Sequence, residues 1–257
     1  MTQEKRLIEI KELLKKKGQL STRQLAKHFG VSFDTARRDV IHLTSTGQAL
    51  RVHGGLMSVN HGDVPDFLAR TQIQSPVKAK IAKVAARFVH PGQLDFIGPS
   101  TTLRHLCTLI TGKNLEIVTN SVDNALALMA APLPTVSILG GTIQKKDRLI
   151  YSMNSLSELN KLHFDTAFIG TSKVRKDGVY TSTQVDAQMI SLAASRAKQI
   201  VLVAEQYKFT NTNSSPFMSL PLDKVDVLIT DVPLPEEFAK NFSPKTQIIP
   251  IERKFQS

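Results

Sequence analysis

VSFDTARRDVIHL, residues 31–43, is the stretch from which the rest of the chain is read. Written as a helix, it places Ala36, Val40 and Leu43 at i, i+4 and i+7, which makes one apolar face. Asp34 and Arg38 lie roughly opposite that face, with Arg37 on its flank. Ser32 is a good N-cap, and Thr35 stands close enough to the N-terminus to contact a phosphate. A short helix with a small apolar footing and two outward arginines suits a DNA major groove, where guanidinium groups fork onto guanine edges or clamp phosphates. The alternative is a surface helix whose arginines are merely solvated, the usual meaning of a charge run. The flanks decide.

Upstream, residues 4–17 read as a helix with Leu7, Ile10 and Leu14 on one face; Gly18 stops it, and Lys15, Lys16 and Lys17 complement its C-terminal dipole. Ser21-Thr22-Arg23-Gln24 matches a capping box, so a second helix starts there with Leu25, Ala26 and Phe29 inward. Gly30 ends it, and only Gly30 and Val31 separate it from Ser32, the tight turn of a helix-turn-helix. Downstream, Gln48 to His53 reads as a short strand closed by Gly54-Gly55. Three helices followed by a small strand pair make a winged helix. DNA contacts are expected from Ser21, Thr22, Ser32, Asp34, Thr35, Arg37 and Arg38, with Arg51 and His53 on the wing.

Charge supports a polyanion partner at the front of the chain. The 257 residues carry a net charge of +11; residues 1–60 hold eleven Lys/Arg against five Asp/Glu, so +6 of it. A basic small domain before a nearly balanced large one is the footprint of nucleic-acid binding. No apolar run reaches membrane-spanning length, the N-terminus is too charged for a signal peptide, and the single Cys107 fits a reducing cytoplasm. The seven histidines show no ligand spacing, so neither a metal nor a cofactor is expected.

Residues 58–76 lack a clear period and contain Pro65 and Pro76, which marks a linker between residues 1–57 and 77–257. From Val77 onward helices alternate with short apolar strands. Helices are expected over 77–89, 103–110, 125–130 and 187–197, and strands over 94–97, 115–118, 136–139, 167–169, 200–203 and 225–229. Such alternation argues for an α/β domain with a mainly parallel sheet covered on both faces, binding its ligand beyond the strands' carboxyl ends.

The loops at those ends share a character. Gly98-Pro99-Ser100-Thr101-Thr102, Thr119-Asn120-Ser121, Gly140-Gly141-Thr142 and Gly170-Thr171-Ser172-Lys173 are small and hydroxylated. At helix N-termini, such residues offer free N–H groups and the positive end of a dipole, which favours phosphate. Lys208 would add a point charge. Asp95, Asp165 and Asp186 could be imagined as acid–base groups, but nothing in the sequence pairs them. Cys107 beside Leu106 reads as a small buried hydrophobe.

The first domain resembles that of the DeoR-type bacterial transcriptional regulators. Leu25-Ala26, Val31-Ser32, Thr35, Arg37-Arg38-Asp39 and His53-Gly54-Gly55 carry the likeness, with Ala36 where a larger aliphatic residue is usual. The second resembles the same family's effector domain, related in fold to ribose-5-phosphate isomerase and coenzyme-A transferases. Here Lys78 with Ile81-Ala82, Thr101-Thr102, Thr119-Asn120-Ser121, Gly140-Gly141, Asp165 with Phe168-Ile169-Gly170, and Lys208-Phe209 match. Departures are Gly98, Ser100, Glu205-Gln206-Tyr207 and Ile190. The Gly98–Thr102 loop and Thr181-Ser182-Thr183 with Asp186-Ala187 are similar to the lactose phosphotransferase system repressors.

The resemblance implies a cytoplasmic, homo-oligomeric repressor of a sugar-metabolism operon, released from operator DNA by a phosphorylated sugar such as tagatose 6-phosphate. It adds Lys78 and Asp186 to the effector residues Gly98, Ser100, Thr101, Thr102, Thr119, Asn120, Ser121, Gly140, Gly141 and Lys208. Two other readings compete: a sugar-phosphate isomerase with an accessory helix-turn-helix, and an interaction protein whose winged helix binds protein. The basic helix and the lack of a catalytic pair disfavour the first, and the exposed arginines disfavour the second.

Overall fold

A computed structural model describes residues 1–45, 49–52, 54–58, 76–209 and 215–251. The chain forms two compact units, Met1–Ser75 and Pro76–Ser257. Of the segment expected to be a linker, residues 59–75 lie outside the described residues; Ser58 ends a strand and Pro76 begins a helix.

In the first unit, α1 (Gln3–Lys17), α2 (Thr22–Phe29) and α3 (Phe33–Ser45) pack around Ile10, Leu14, Leu25, Val40 and Leu43. Gly18 and Gly30 take positive φ (75° and 60°), the conformation that lets the chain leave α1 and α2 without a Cβ penalty. The wing is β2 (Ala49–Val52) paired antiparallel with β3 (Gly55–Ser58). A strand that periodicity did not disclose, β1 (Gln19–Ser21), lines the other side of β3. This close approach explains Gly55: a Cβ there would lie 2.1 Å from the Leu20 carbonyl oxygen.

In the second unit seven strands form one parallel sheet, in the order β15-β14-β12-β9-β4-β5-β6. Their ranges are β4 Leu94–Ile97, β5 Glu116–Thr119, β6 Thr135–Ile138, β9 Phe164–Gly170, β12 Ala197–Val203, β14 Val227–Thr230 and β15 Gln247–Pro250. Side chains alternate between two cores, as the pleat dictates. Phe96, Ala167, Ile169 and Leu202 join Met189, Ile190 and Ala193 of α8 (Gln184–Ser195) on one face. On the other, Ile97, Phe168, Val201 and Val203 join Ile81 and Ala85 of α4 (Pro76–Ala85) and Leu103, Leu106 and Cys107 of α5 (Thr101–Ile110). Burial pushes the Cys107 thiol up, so it packs as an inert hydrophobe.

Several boundaries differ from expectation. Ala197 opens β12 instead of closing α8, α6 spans Val122–Leu128, and helix 77–89 ends at Ala85 in a 3-10 turn over Ala86–Phe88. Gly140-Gly141 leads into a hairpin, β7 (Thr142–Gln144) with β8 (Leu149–Tyr151), and α7 (Met153–Asn160) follows. Gly170-Thr171-Ser172 leads into a small antiparallel sheet of β10 (Lys173–Val174), β11 (Val179–Thr181) and β13 (Phe217–Leu220). Only two of the four strand-end loops open helices, so neither the Gly140 loop nor the Gly170 loop has a helix dipole to offer.

Chain order reverses between β4 and β9: β5 and β6 run off one side of β4, and β9, β12, β14 and β15 continue on the other. Such a switch point leaves a crevice at the strands' carboxyl ends.

Candidate functional sites

The face of α3 is set by what lies beneath it. Ala36, Asp39, Val40 and Leu43 are buried, while Phe33, Asp34, Arg37, Arg38 and Ile41 are exposed. Asp39 is an acid in the core, and Arg6 of α1 answers it: Nε donates to Oδ2 at 2.7 Å and Nη2 to Oδ1 at 3.2 Å. Gln3 adds a third donor to the same carboxylate at 3.1 Å. The carboxylate in turn raises the Arg6 pKa, chiefly through this hydrogen bond. The sequence reading assigned Arg6 no role beyond its charge; the pair locks α1 to α3 and leaves Arg37 and Arg38 turned outward.

The other expected DNA contacts divide. Ser32 is exposed and accepts from the Thr35 N–H at 3.2 Å, with the two hydroxyls 2.9 Å apart. Ser21 caps α2 in the expected box: its Oγ accepts from Gln24 N–H at 3.1 Å and Gln24 Oε1 accepts from Ser21 N–H at 2.7 Å. Thr22 is a correction, since it is buried and its N–H donates to the Gly54 carbonyl, which leaves its side chain inside the fold. Arg51 is half-buried on β2, opposite Leu56. His53 lies outside the described residues.

In the second unit, Gly98, Ser100, Thr119, Asn120, Ser121 and Lys208 meet around the switch point. Gly98 N–H donates to the Phe168 carbonyl at 3.0 Å, and Ser100 rests so closely on Gly170 that a Cβ at 170 would fall 2.5 Å from Ser100 Cβ. The hydroxyls expected to hold a ligand are used in the scaffold. Ser100 Oγ accepts from Thr102 and Leu103 N–H, Thr119 Oγ1 donates to the Ile97 carbonyl at 2.6 Å, and Ser121 Oγ accepts from Asn124 N–H. Asn124 joins them, its Nδ2 donating to Gly98 O at 2.9 Å. Thr102 is buried, whereas Thr101, first in α5, is half-exposed. Asn120 Oδ1 is enclosed with no hydrogen-bond partner among the described residues.

Two lysines belong to this neighbourhood, Lys208 by contact and Lys173 by its place two residues after Thr171. Lys208 Nζ donates to the Thr171 carbonyl at 2.6 Å. Lys173, two residues on, is only 6 % exposed, and burial pulls its pKa down. Among the described residues its ammonium has neither hydrogen bond nor ion pair. Sequence reasoning placed Lys173 in a loop but did not single it out; nothing marks a buried lysine in advance, because most are solvated.

The remaining expected residues stand apart in role. Lys78 is buried on α4 near His105, whose pKa is lowered by desolvation, then by Lys78 and Arg104. Gly140 accepts from Ser152 Oγ at 3.0 Å, and Gly141 packs against the Tyr151 carbonyl. Asp186 sits in the first turn of α8, its N–H donating to the capping Thr183 hydroxyl. A surface groove lined by Leu156, Gln188, Leu192, Phe217 and Met218 includes none of these residues.

Two of the three carboxylates, Asp165 and Asp95, hold neighbouring strands together. Asp165 is held below the usual range by Lys198 at 2.8 Å and by the Leu94 N–H. Asp95, on β4, accepts from the Thr166 N–H at 3.1 Å, and burial pushes its pKa up to about 7. Its Oδ2 has no hydrogen-bond partner among the described residues. Among the described residues no cluster of acid, His or Cys side chains could hold a metal ion, and no helix is long and apolar enough to cross a membrane.

Comparison with known proteins gives two domain matches: a DeoR-like helix-turn-helix domain over residues 6–61 and a DeoR C-terminal sensor domain over residues 73–232. The repressor GlcR of Bacillus subtilis is 29% identical over 232 residues, 90% of this chain and 89% of that protein. A lactose phosphotransferase system repressor of Streptococcus mutans is 28% identical over 253 residues, 97% of this chain and all of the relative. Among solved structures, ribose 5-phosphate isomerase A of Neisseria gonorrhoeae aligns at a TM-score of 0.36 with 17% identity, covering 52% of this chain and 53% of the other.

Proposed function

This chain belongs to the DeoR family of transcriptional regulators, and we propose that it is an operator-binding repressor of a sugar-metabolism operon, not an enzyme, released by a phosphorylated sugar. The observation that carries the reading is the outward face of α3, where Asp34, Arg37 and Arg38 stand exposed above the buried Arg6–Asp39 pair. Laid in a major groove, the arginines fork onto guanine or grip phosphate, and Asp34 can accept from cytosine. One such helix covers few base pairs, so we take the working form to be a homodimer or homotetramer on paired half-sites.

For the effector, support comes from the strand-end crevice. Thr101 offers the N-terminal turn of α5, and Lys208 and Lys173 bring positive charge to one loop. A dianionic phosphate would supply the counter-charge that the buried Lys173 lacks among the described residues. Lys78, Gly140, Gly141 and Asp186 are kept as outlying contacts to the sugar. Two relatives of this chain are repressors by name, one of them for lactose phosphotransferase; a ketohexose 6-phosphate such as tagatose 6-phosphate is therefore the first ligand to try.

The test is retention of genomic duplex fragments by the full chain at several salt concentrations, with and without a panel of sugar phosphates. Sequence-selective retention, lost on adding one sugar phosphate, is expected. Turnover of a sugar phosphate without DNA retention would favour an isomerase instead.

A further inference from the structure

We propose that Phe33 reads the C5-methyl group of a thymine in the operator's major groove; this rests on the DNA-binding reading above. Phe33 is the first residue of α3, an apolar residue that is nonetheless 54% exposed. A lone exposed apolar side chain is ordinary. This one is placed otherwise, because Phe33, Arg37 and Ile41 follow one another at i, i+4 and i+8 and are all exposed, Ile41 at 46%. The stripe is thus apolar, cationic, apolar, with Asp34 and Arg38 beside it. Among the described residues Phe33 is not part of the first unit's core, where Ala36, Val40 and Leu43 fill the inner side of α3.

Position along the helix separates Phe33 from Ile41. In a helix-turn-helix the N-terminal residues of the recognition helix reach base edges, and later residues lie nearer the backbone. Ser32 and Thr35 fix that first turn through the 3.2 Å cap, so the ring is carried on a held piece of backbone. An aromatic ring there cannot hydrogen-bond a base edge. The apolar feature a major groove offers it is the thymine methyl. Ring and methyl would both leave water, while Arg37 and Arg38 hold the flanking guanines or phosphates.

The experiment selects an operator from random duplexes with the full chain, then replaces each thymine in turn by deoxyuridine, which removes only the methyl. At one thymine in each half-site, affinity should fall about fourfold, the worth of one buried methyl-sized group. Phe33→Ala should bind the thymine operator more weakly and no longer distinguish it from the deoxyuridine version, with its helical circular dichroism unchanged. Uniform affinity across all substitutions would overturn the proposal. Discrimination that survives in Phe33→Ala would also overturn it, by giving the methyl to another residue. If the chain retains no duplex at all, the DNA-binding reading fails first, and this inference with it.

Discussion

Arg6 and Asp39 meet at 2.7 Å between α1 and α3, with side chains 9% and 1% exposed. A carboxylate that deep is tolerable only while its cation stays, because desolvation then has a Coulombic and hydrogen-bonded return. Removing one partner strands the other. Arg6→Ala is therefore expected to destabilise the first unit by about 3–5 kcal/mol, and Asp39→Ala by a similar amount. The double variant Arg6→Met, Asp39→Leu should recover most of that loss. Urea unfolding of the four proteins compares the losses directly, and single variants as stable as wild type would remove the pair's structural role.

Arg37→Ala and Arg38→Ala are expected to leave folding intact, since both side chains are exposed. Each should weaken operator binding by about 1–3 kcal/mol if it reaches a base. One that touches only phosphate should instead lower the salt slope of log K by about 0.9, with sequence preference kept. Titrations at four salt concentrations separate the two. A double variant binding as tightly as wild type would mean that α3 is not the recognition helix.

Release by the correct sugar phosphate should lower operator affinity about 5–150-fold, the range of a coupling of roughly 1–3 kcal/mol. Lys208→Ala and Thr101→Ala should blunt that response and leave DNA binding without ligand unchanged. Lys173→Met should do the same, yet raise unfolding free energy by about 1 kcal/mol, because a largely buried charge with no partner among the described residues is exchanged for an apolar chain of like length. Calorimetry with the sugar phosphate and denaturant unfolding report the two effects separately. A Lys173→Met protein that is both fully responsive and less stable would show that the ammonium is satisfied in some other way.

Asp95 gives the fold a pH dependence of definite sign. Its carboxyl is held up to about 7 in the native state, against 3.8 ordinarily, because burial disfavours the charge. Between those values the folded chain holds a proton that the unfolded chain has lost, so stability falls as pH rises from about 4 to about 7. Asp95→Asn cannot ionise, and its side-chain oxygen can still accept from Thr166. The variant's advantage over wild type should grow by about 2–3 kcal/mol between pH 5 and pH 8. Parallel denaturation curves at the two pH values would contradict the assignment if the gap stayed constant.

A two-fold oligomer is expected in solution and on DNA, because operator half-sites come in pairs. Sedimentation velocity of the free protein and of its complex checks this, and a monomer in both would count against it.

Apolar rhythm made most of the architecture readable before any coordinates. Ala36, Val40 and Leu43 named the inner side of α3, and Gly18 and Gly30 its neighbours' ends, because burial and positive φ leave marks on residue type. Runs such as Ile200–Val203 announced a doubly covered sheet for the same reason. What escaped is what residue type does not encode. Arg6 and Asp39 are charged and would ordinarily be solvated; only tertiary pairing makes them core. Ser100, Thr119 and Ser121 look like ligand groups, but a hydroxyl's partner depends on where it points, and all three are turned onto backbone. Strands of three residues, such as Gln19–Ser21, are too short to show a period.

The middle of the sensor sheet joins β4 to β9, where Asp95 and Thr166 touch across 71 residues of chain. Pairing so distant is slow to form, since the intervening loop must close before any contact rewards it. A chain emerging from the ribosome would reach β6 with β4's inner edge still bare, an interval in which unpaired backbone invites misassociation. The contact of Ser100 with Gly170, which shapes the crevice, exists only after β9 has docked. The crevice is consequently completed late in the chain's synthesis, and a truncated product lacking β9 would not form it.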